Sequence, residues 1–446
     1  MLKNLRNNMS IRPNLSQSKV WLAKYGSPLF VTYEKTVLEN IKKYRSGFKN
    51  YSGGFTLAYS VKTNNNIPLL KIFKREGVWA EVCSATDIYA CSKAGYTGSE
   101  ILFDGLVKPD SELLKALKQN FSIINLESMG EAIRLSKLAT RLQKKINVGI
   151  RLSFPSTRVG LKALLGISYD RFGVSLESGD AFALAKYVAS QKYLHLTGVH
   201  CHTGSNQKSA AHYLIGIDEL VTFMAMLKSK LDINIKTLNL GGGFGVSEIT
   251  AYKVTDLGMQ FAKRLLGQPQ TFEHKKFDFE RVSNEICTYL EKKLAENDLA
   301  APHLFLEPGR SLVGNTTHLI CSVVETKSSP INDWTIIDAG TNLMPILTFY
   351  SEYRDIQIFS KEHEIKTSMA GPLLYSSDSI VSGRMLPRAK VGDVVLICDT
   401  GAYFNCQSNQ FLYSRPASIL VDKANHVRLI QRAETVKDVF VRDESE

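Results

Sequence analysis

The chain reads as an α/β protein: a (β/α)8 TIM-like barrel followed by a mostly-β C-terminal domain. Three observations predict it. Eight short β-rich runs alternate with helical stretches through the middle of the chain. The flanks on either side are β-rich with little helical periodicity. The residues able to do chemistry fall at the ends of the β-rich runs, where a barrel of this kind keeps its site.

The eight runs are LAYSVK (57–62), VWAEVCS (78–84), EILFDG (100–105), SIINLES (122–128), NVGIRL (147–152), LTGVHCH (196–202), TLNLGGG (237–243) and HLFLEPG (303–309). Between them, IPLLKIFKREG, SELLKALKQN and GEAIRLSKLATRLQ place apolar residues at helical spacing. A doubly wound sheet fits less well, since it has fewer strands and a nucleotide fingerprint after the first. Before the barrel, PLFVTYEK (28–35) reads as a strand. After it come WTIIDAG (334–340), GDVVLICDTGAY (392–403), ASILVD (417–422) and HVRLIQR (426–432). The expected division is an N-terminal arm over 1–35 that joins the β domain, a barrel over 36–312 and a β domain over 313–446. Two stretches, 153–173 and roughly 246–300, read as insertions on the barrel.

Composition narrows the class. Hydrophobic residues at 44% and charged residues at 22% are those of a globular chain, and 446 residues allow a large and a smaller domain. The net charge of +12 comes from scattered lysines and arginines, without a nucleic-acid motif beside them, so a solvated surface is the expectation. No apolar run is long enough to span a bilayer, and the basic N-terminus has no apolar signal core. Seven cysteines without regular spacing or a CxxC pair argue against a disulfide framework or a zinc site. A cytoplasmic protein that binds neither nucleic acid nor membrane is the resulting expectation.

Lys62 ends the first run, in AYSVKTN. Burying a lysine lowers its pKa and turns the amine into a nucleophile able to form a Schiff base; taken alone, the residue is better explained as a lysine at a strand end that reaches solvent. In HCHTGSN (200–206), the imidazole of His202 can stack on a flat cofactor, and Ser205 can bind phosphate. His200 and His202 alternate along a strand and should face opposite ways, which disfavours a shared metal; none is expected. His200 is assigned a structural role. The glycines of LNLGGGFG (238–245) let backbone amides approach an anion, and a helix starting after them would add its dipole. In EPGR (307–310), Glu307 and Arg310 form either a surface ion pair or a functional couple. Beside a lysine-bound cofactor, Glu307 can keep a pyridine nitrogen protonated and Arg310 can bind phosphate or a carboxylate.

Together AYSVKTN, HTGS, GGGFG, EPGR, DTGAY and SRPAS resemble the fold-type III pyridoxal-phosphate decarboxylases, the family of diaminopimelate, ornithine and arginine decarboxylases, whose barrel is alanine racemase-like. The order and spacing match from about residue 25 to about 440, closest to the diaminopimelate branch, where SRP follows the GAY strand. The resemblance implies a pyridoxal 5'-phosphate enzyme that decarboxylates an amino acid, with Lys62 as the Schiff-base lysine, His202 stacked on the ring and Glu307 on its nitrogen. It implies that Ser205, Gly242, Gly243, Gly309, Arg310 and Tyr403 hold the phosphate end, and that Arg310, Tyr350, Tyr375 and Tyr403 meet the substrate. It also implies a homodimer, each site being completed by a loop of the partner. Two positions depart from the family pattern. In GPLLYSSD (371–378), Leu374 replaces the cysteine that reprotonates the product, so the proton must come from Tyr375, a water or another group. In DAGTNLMPILTFYSEY (338–353), Ile346 stands where the branch carries an arginine for the distal carboxylate. An altered substrate follows, a diamino acid or an amino-acid conjugate. A racemase on the same scaffold and a decarboxylase-like regulatory protein without activity are the alternatives.

Overall fold

The computed structural model describes residues 11–153, 171–251, 254–271, 274–330, 332–349 and 352–444. Among these the chain divides into two compact units. One comprises Lys42–Gly245 and Phe277–Ser311; the other comprises the segments up to Ile41, Val246–Lys276 and from Leu312 onward.

The first unit is a closed parallel barrel of eight strands: β1 (Phe55–Ser60), β2 (Trp79–Val82), β3 (Ile101–Phe103), β4 (Ile123–Leu126), β5 (Ile146–Arg151), β6 (Leu194–His200), β7 (Thr237–Asn239) and β8 (His303–Leu306). Each falls on one of the eight runs. β8 closes the ring on β1, with Leu304 opposite Phe55. The strands are short and almost wholly buried, which is why they read as apolar runs rather than alternating ones. Ala58, Leu102, Ile123 and Phe305 fill one layer of the interior, with Trp79 packed against it. Polar side chains at several strand ends cap the following helices. Asn66 accepts from Leu69 N–H, Ser84 from Asp87 N–H and Ser128 from Glu131 N–H. These caps stop each strand and turn the chain into its helix within a few residues.

The connection over 246–300 is not a single insertion. Val246–Lys276, with the helix Val254–Leu265, belongs to the second unit, whereas the helix Phe279–Glu296 belongs to the barrel unit. Its buried face (Phe279, Val282, Ile286, Leu290, Leu294) recurs at helical spacing, as a barrel helix requires. The expected insertion at 153–173 falls almost wholly on residues 154–170, outside the described residues.

The second unit is a sheet running Ser379–Pro387, Glu364–Ala370, Asp333–Ile337, Thr317–Ser328, Leu29–Tyr33, Ala417–Val421 and Val427–Gln431 in spatial order. Val394–Ile397 also pairs with Thr317–Ser328 and carries Ile356–Ile358. The strand Leu29–Tyr33 lies between an antiparallel and a parallel neighbour and is buried on both faces. Leu29, Val31 and Tyr33 enter one apolar cluster, while Phe30 enters the other. Among the described residues no helix is long and apolar enough to cross a membrane. All seven cysteines are free.

Candidate active site

The C-terminal ends of the barrel strands carry a ring of polar side chains that a hydrophobic core would exclude. Glu81, Asp104, Asn125, Glu127, His200, Asn239, Glu307 and Arg310 are all buried. Unpartnered, such groups would each cost several kcal/mol, on the order of 2–7. Here they are wired together. Asn239 Nδ2 donates to Glu307 Oε1 at 2.5 Å, and Asn125 Nδ2 donates to Asp104 Oδ1 at 2.6 Å. The His200 ring stands between the two carboxyl groups, 3.7 Å from Asp104 and 3.6 Å from Glu307. Glu307 and Arg310 are therefore not a surface ion pair.

Burial first, and then the Asp104 and Glu81 carboxylates, push the Glu307 carboxyl well above the usual range. His202 is driven the other way, to about 3, by burial and then by the nearby cations Lys62 and Arg151. Its ring is neutral, and its Nδ1 accepts the Gly242 N–H at 3.4 Å. His200 is lowered well below its usual value, again chiefly by burial.

The glycine loop is a tight backbone crossing. Gly241 and Gly243 have φ of +64° and +87°. A Cβ on Gly243 would lie 2.1 Å from the Gly204 carbonyl, and one on Gly242 would lie 2.3 Å from the Glu307 carbonyl. A side chain on Gly309 would strike Thr63 Oγ1 at 2.0 Å. The loops after β1, β6, β7 and β8 therefore touch backbone to backbone. Phe244 pins this loop from below. It stacks on Tyr213 at 4.7 Å and meets Tyr44, Phe48 and Phe279 edge-on or tilted, at 5.3–6.0 Å between centroids. Each such pair is worth about 0.5–1.5 kcal/mol beyond its buried area. Tyr213 also donates to the Gly242 carbonyl at 2.9 Å. No helix begins at the glycines. Phe244 instead bridges to Gln207, and the next helix starts at Val254, so the expected helix dipole is not available to an anion here.

Lys62 lies just past β1, in the 3-10 turn Val61–Thr63. Its side chain is 51% exposed, so burial does not desolvate it: the turn lifts it from the strand into the barrel mouth. Nζ lies 3.4 Å from Glu81 Oε1 and 3.3 Å from Cys83 Sγ. Ser205 is exposed on the loop after β6. The barrel thus gathers Lys62, His202, Ser205, Gly242, Gly243, Glu307, Gly309 and Arg310 at one end.

Tyr375 and Tyr403 belong to the second unit, and Tyr350 lies outside the described residues. Tyr403, with φ +66°, packs against that unit's core. The loop at 371–378 is held by buried Asp378, whose carboxylate accepts from Thr341 N–H at 2.7 Å and Leu373 N–H at 2.8 Å. That grip leaves Leu374 92% exposed, while the Tyr375 hydroxyl shares a 2.6 Å hydrogen bond with Thr341 Oγ1.

Reasoning from sequence missed Glu81, Cys83, Asp104, Glu127 and Arg151. All sit at the ends of β2 to β5, and Arg151 pairs with Glu127. The rule that located Lys62 and Glu307 points to them as well, since each is a charged or thiol residue at the C-terminal end of an apolar run.

Residues 35–314 match the family model "pyridoxal-dependent decarboxylase, pyridoxal binding domain". The chain belongs to the pyridoxal-dependent decarboxylases. The diaminopimelate decarboxylase of Methanocaldococcus jannaschii is 30% identical over 429 residues, covering 94% of this chain and 92% of that protein. Its counterpart from Aquifex aeolicus is 27% identical over 416 residues, covering 92% and 90%. The M. jannaschii crystal structure aligns with a TM-score of 0.85 at 28% identity, over 96% of this chain and 94% of that one. A lysine decarboxylase from Selenomonas ruminantium, 20% identical with a TM-score of 0.78 over 94% and 98% of the two chains, shares the fold. This decarboxylase, of the diaminopimelate branch, uses pyridoxal phosphate to release CO2 from an amino acid.

The neutral histidines of this family member carry a pH prediction. His202, at about 3, and His200, well below 6.5, bind protons more readily in the unfolded chain. On their account stability rises with pH between about 3 and 6.5, is level above that window and is lost as pH falls through it. The raised carboxyls of Glu307 and Asp87 act in the opposite sense over part of the same window, so the prediction is read on the rings themselves. NMR titration of the cofactor-free protein is expected to show neither ring taking up a proton between pH 7 and pH 5. An apparent pKa of about 6 for either ring would mean that it is not held neutral.

Proposed function

We propose that this decarboxylase acts on an amino acid of the diaminopimelate type whose distal end differs from that of free meso-diaminopimelate, a diamino acid or an amino-acid conjugate. One observation carries the reading. Ile346, at the position of the branch's carboxylate-binding arginine, is 1% exposed in the apolar core of the second unit, beside Leu343 and Met344. A buried aliphatic side chain offers no bidentate grip on a carboxylate.

Pyridoxal phosphate fits the barrel mouth on the chemistry of its groups. The glycine crossing leaves backbone, not side chain, on that side; His202 presents a neutral ring; Glu307 is a buried carboxyl whose affinity for a proton is raised. In this reading Lys62 holds the cofactor through Nζ and His202 lies against its face. Ser205, Gly242, Gly243, Gly309, Arg310 and Tyr403 anchor its phosphate. Arg310, Tyr350, Tyr375 and Tyr403 meet the substrate. When bound, the cofactor supplies an electron sink for the pair left behind by CO2. Glu307 would keep the pyridine nitrogen protonated, its carboxyl fixed by the Asn239 side-chain N–H. The active form is a cytoplasmic homodimer in which the loop at 371–378 completes the partner's site.

CO2 release across diaminopimelate, lysine, ornithine, arginine and amino-acid conjugates, with reconstituted cofactor, tests the substrate. A conjugate or a diamino acid lacking the distal carboxylate should have the highest kcat/KM. Free meso-diaminopimelate as the best substrate would refute the altered specificity.

A further inference from the structure

The reaction needs a proton at the carbon that loses CO2, and Leu374, at the position of the family's cysteine, has none to give. A thiol does stand in the barrel mouth. Cys83 follows β2, its Sγ 3.3 Å from Lys62 Nζ and 2.7 Å from Glu81 Oε1. Its position is set from three directions. Its backbone N–H donates to Asp87 Oδ2 at 3.0 Å, and its S–H donates to Glu81. Gly105, at φ +119°, passes so close that a Cβ there would lie 2.9 Å from the Cys83 carbonyl.

We propose that Cys83 is a catalytic acid of this decarboxylase, the group that protonates the substrate α-carbon. The inference rests on the assignment of Lys62 as the cofactor lysine. A substrate amine bound where Nζ now stands would bring the carbon attached to it within reach of the thiol, which lies 3.3 Å from Nζ. The C–C bond to the carboxylate breaks and CO2 leaves without the electron pair. A C–H bond forms as the S–H bond breaks, and the proton passes from Sγ to carbon. The thiolate left behind faces the Lys62 ammonium, then recovers a proton from water, so each CO2 released consumes one solvent proton. The groups facing the thiol are Glu81 and Asp104, which oppose its ionisation, and Lys62, which favours it, while Asp87 takes the Cys83 backbone N–H. Burial and Glu81 dominate and raise the thiol well above its usual value, so at neutral pH it is in the acid form the step requires.

Two measurements test this. In the holoenzyme, Cys83→Ala should lower kcat about 100-fold, within the range of general acid catalysis. It should also yield less amine than CO2, because part of the product is protonated elsewhere and leaves as a carbonyl compound. Cys83→Ser, which keeps an O–H, should recover part of the loss and guards against a folding defect in the alanine variant. In the cofactor-free protein, the pH profile of iodoacetamide alkylation at Cys83, read by peptide mass spectrometry, should move to higher pH in Lys62→Met. Cys83→Ala with wild-type turnover and equal CO2 and amine overturns the proposal. So does an alkylation profile indifferent to Lys62. Cofactor bound at a lysine other than Lys62 would instead overturn the assignment on which it rests.

Discussion

Replacing Lys62 with alanine is expected to abolish CO2 release, with a fall in kcat on the order of 10^4-fold or more, as when a covalent group of a catalytic unit is removed. In the proposed mechanism the amine has two tasks: it binds the cofactor covalently, and it gives that bond up to the substrate amine. Lys108, after the third barrel strand, is fully buried, ion-paired with Glu131 at 2.7 Å and bonded to two backbone carbonyls, so it cannot substitute. The variant should fold. The Lys62 side chain is half exposed and its removal opens no core cavity, so the melting temperature of the cofactor-free protein should stay within a degree or two of wild type, in the range of a surface substitution. A steady-state CO2 assay together with calorimetry separates the two effects. Turnover within tenfold of wild type would remove Lys62 from the mechanism.

The second large effect is at Glu307. Alanine there deletes an acceptor for Asn239 and a neighbour of His200, and an orphaned buried donor costs about 1–3 kcal/mol, which confounds catalysis with stability. Glutamine is the cleaner change, because its carbonyl still accepts from Asn239 and its volume is unchanged. Glu307→Gln cannot exchange a proton with a pyridine nitrogen. It should therefore lower kcat by about 10^2–10^3-fold, the range seen when one preorganised electrostatic group is lost. The cofactor should still bind, since the lysine and the phosphate anchors are untouched. Equilibrium dialysis of pyridoxal phosphate alongside kcat checks this. A glutamine variant with wild-type kcat would mean that the carboxyl serves only to fill the barrel end.

The barrel was legible because parallel strands buried on both faces are written as bounded apolar runs, and each of the eight runs became a strand. Thr317–Ser328 and the hairpin Glu364–Ala370/Ser379–Pro387 were not. Their burial is partial, with the last residues of Thr317–Ser328 exposed, and sequences such as ETKS or SGRM carry no apolar signature. The site was half legible. His202, Glu307 and the glycines stood out because such residues are rare at the end of an apolar run. Glu81 and Asp104 looked like ordinary strand-end charges, and only the closed ring shows them aimed inward at Glu307. Lys62 alone favoured a lysine that reaches solvent over a desolvated nucleophile, and the turn after Ser60 does carry it into the open mouth. Cys83 could not be singled out in one dimension, since its meaning is a 3.3 Å contact with a residue 21 positions away.

The account stands on Lys62 as the residue that carries the cofactor. Borohydride reduction of the pyridoxal-phosphate-loaded protein, followed by proteolysis and peptide mass spectrometry, reads that residue directly. The account predicts a single stoichiometric phosphopyridoxyl label, on the peptide containing AYSVKTN and on Lys62 within it. A label on Lys108 or on any other lysine, or no fixed label on a protein that still releases CO2, would contradict it.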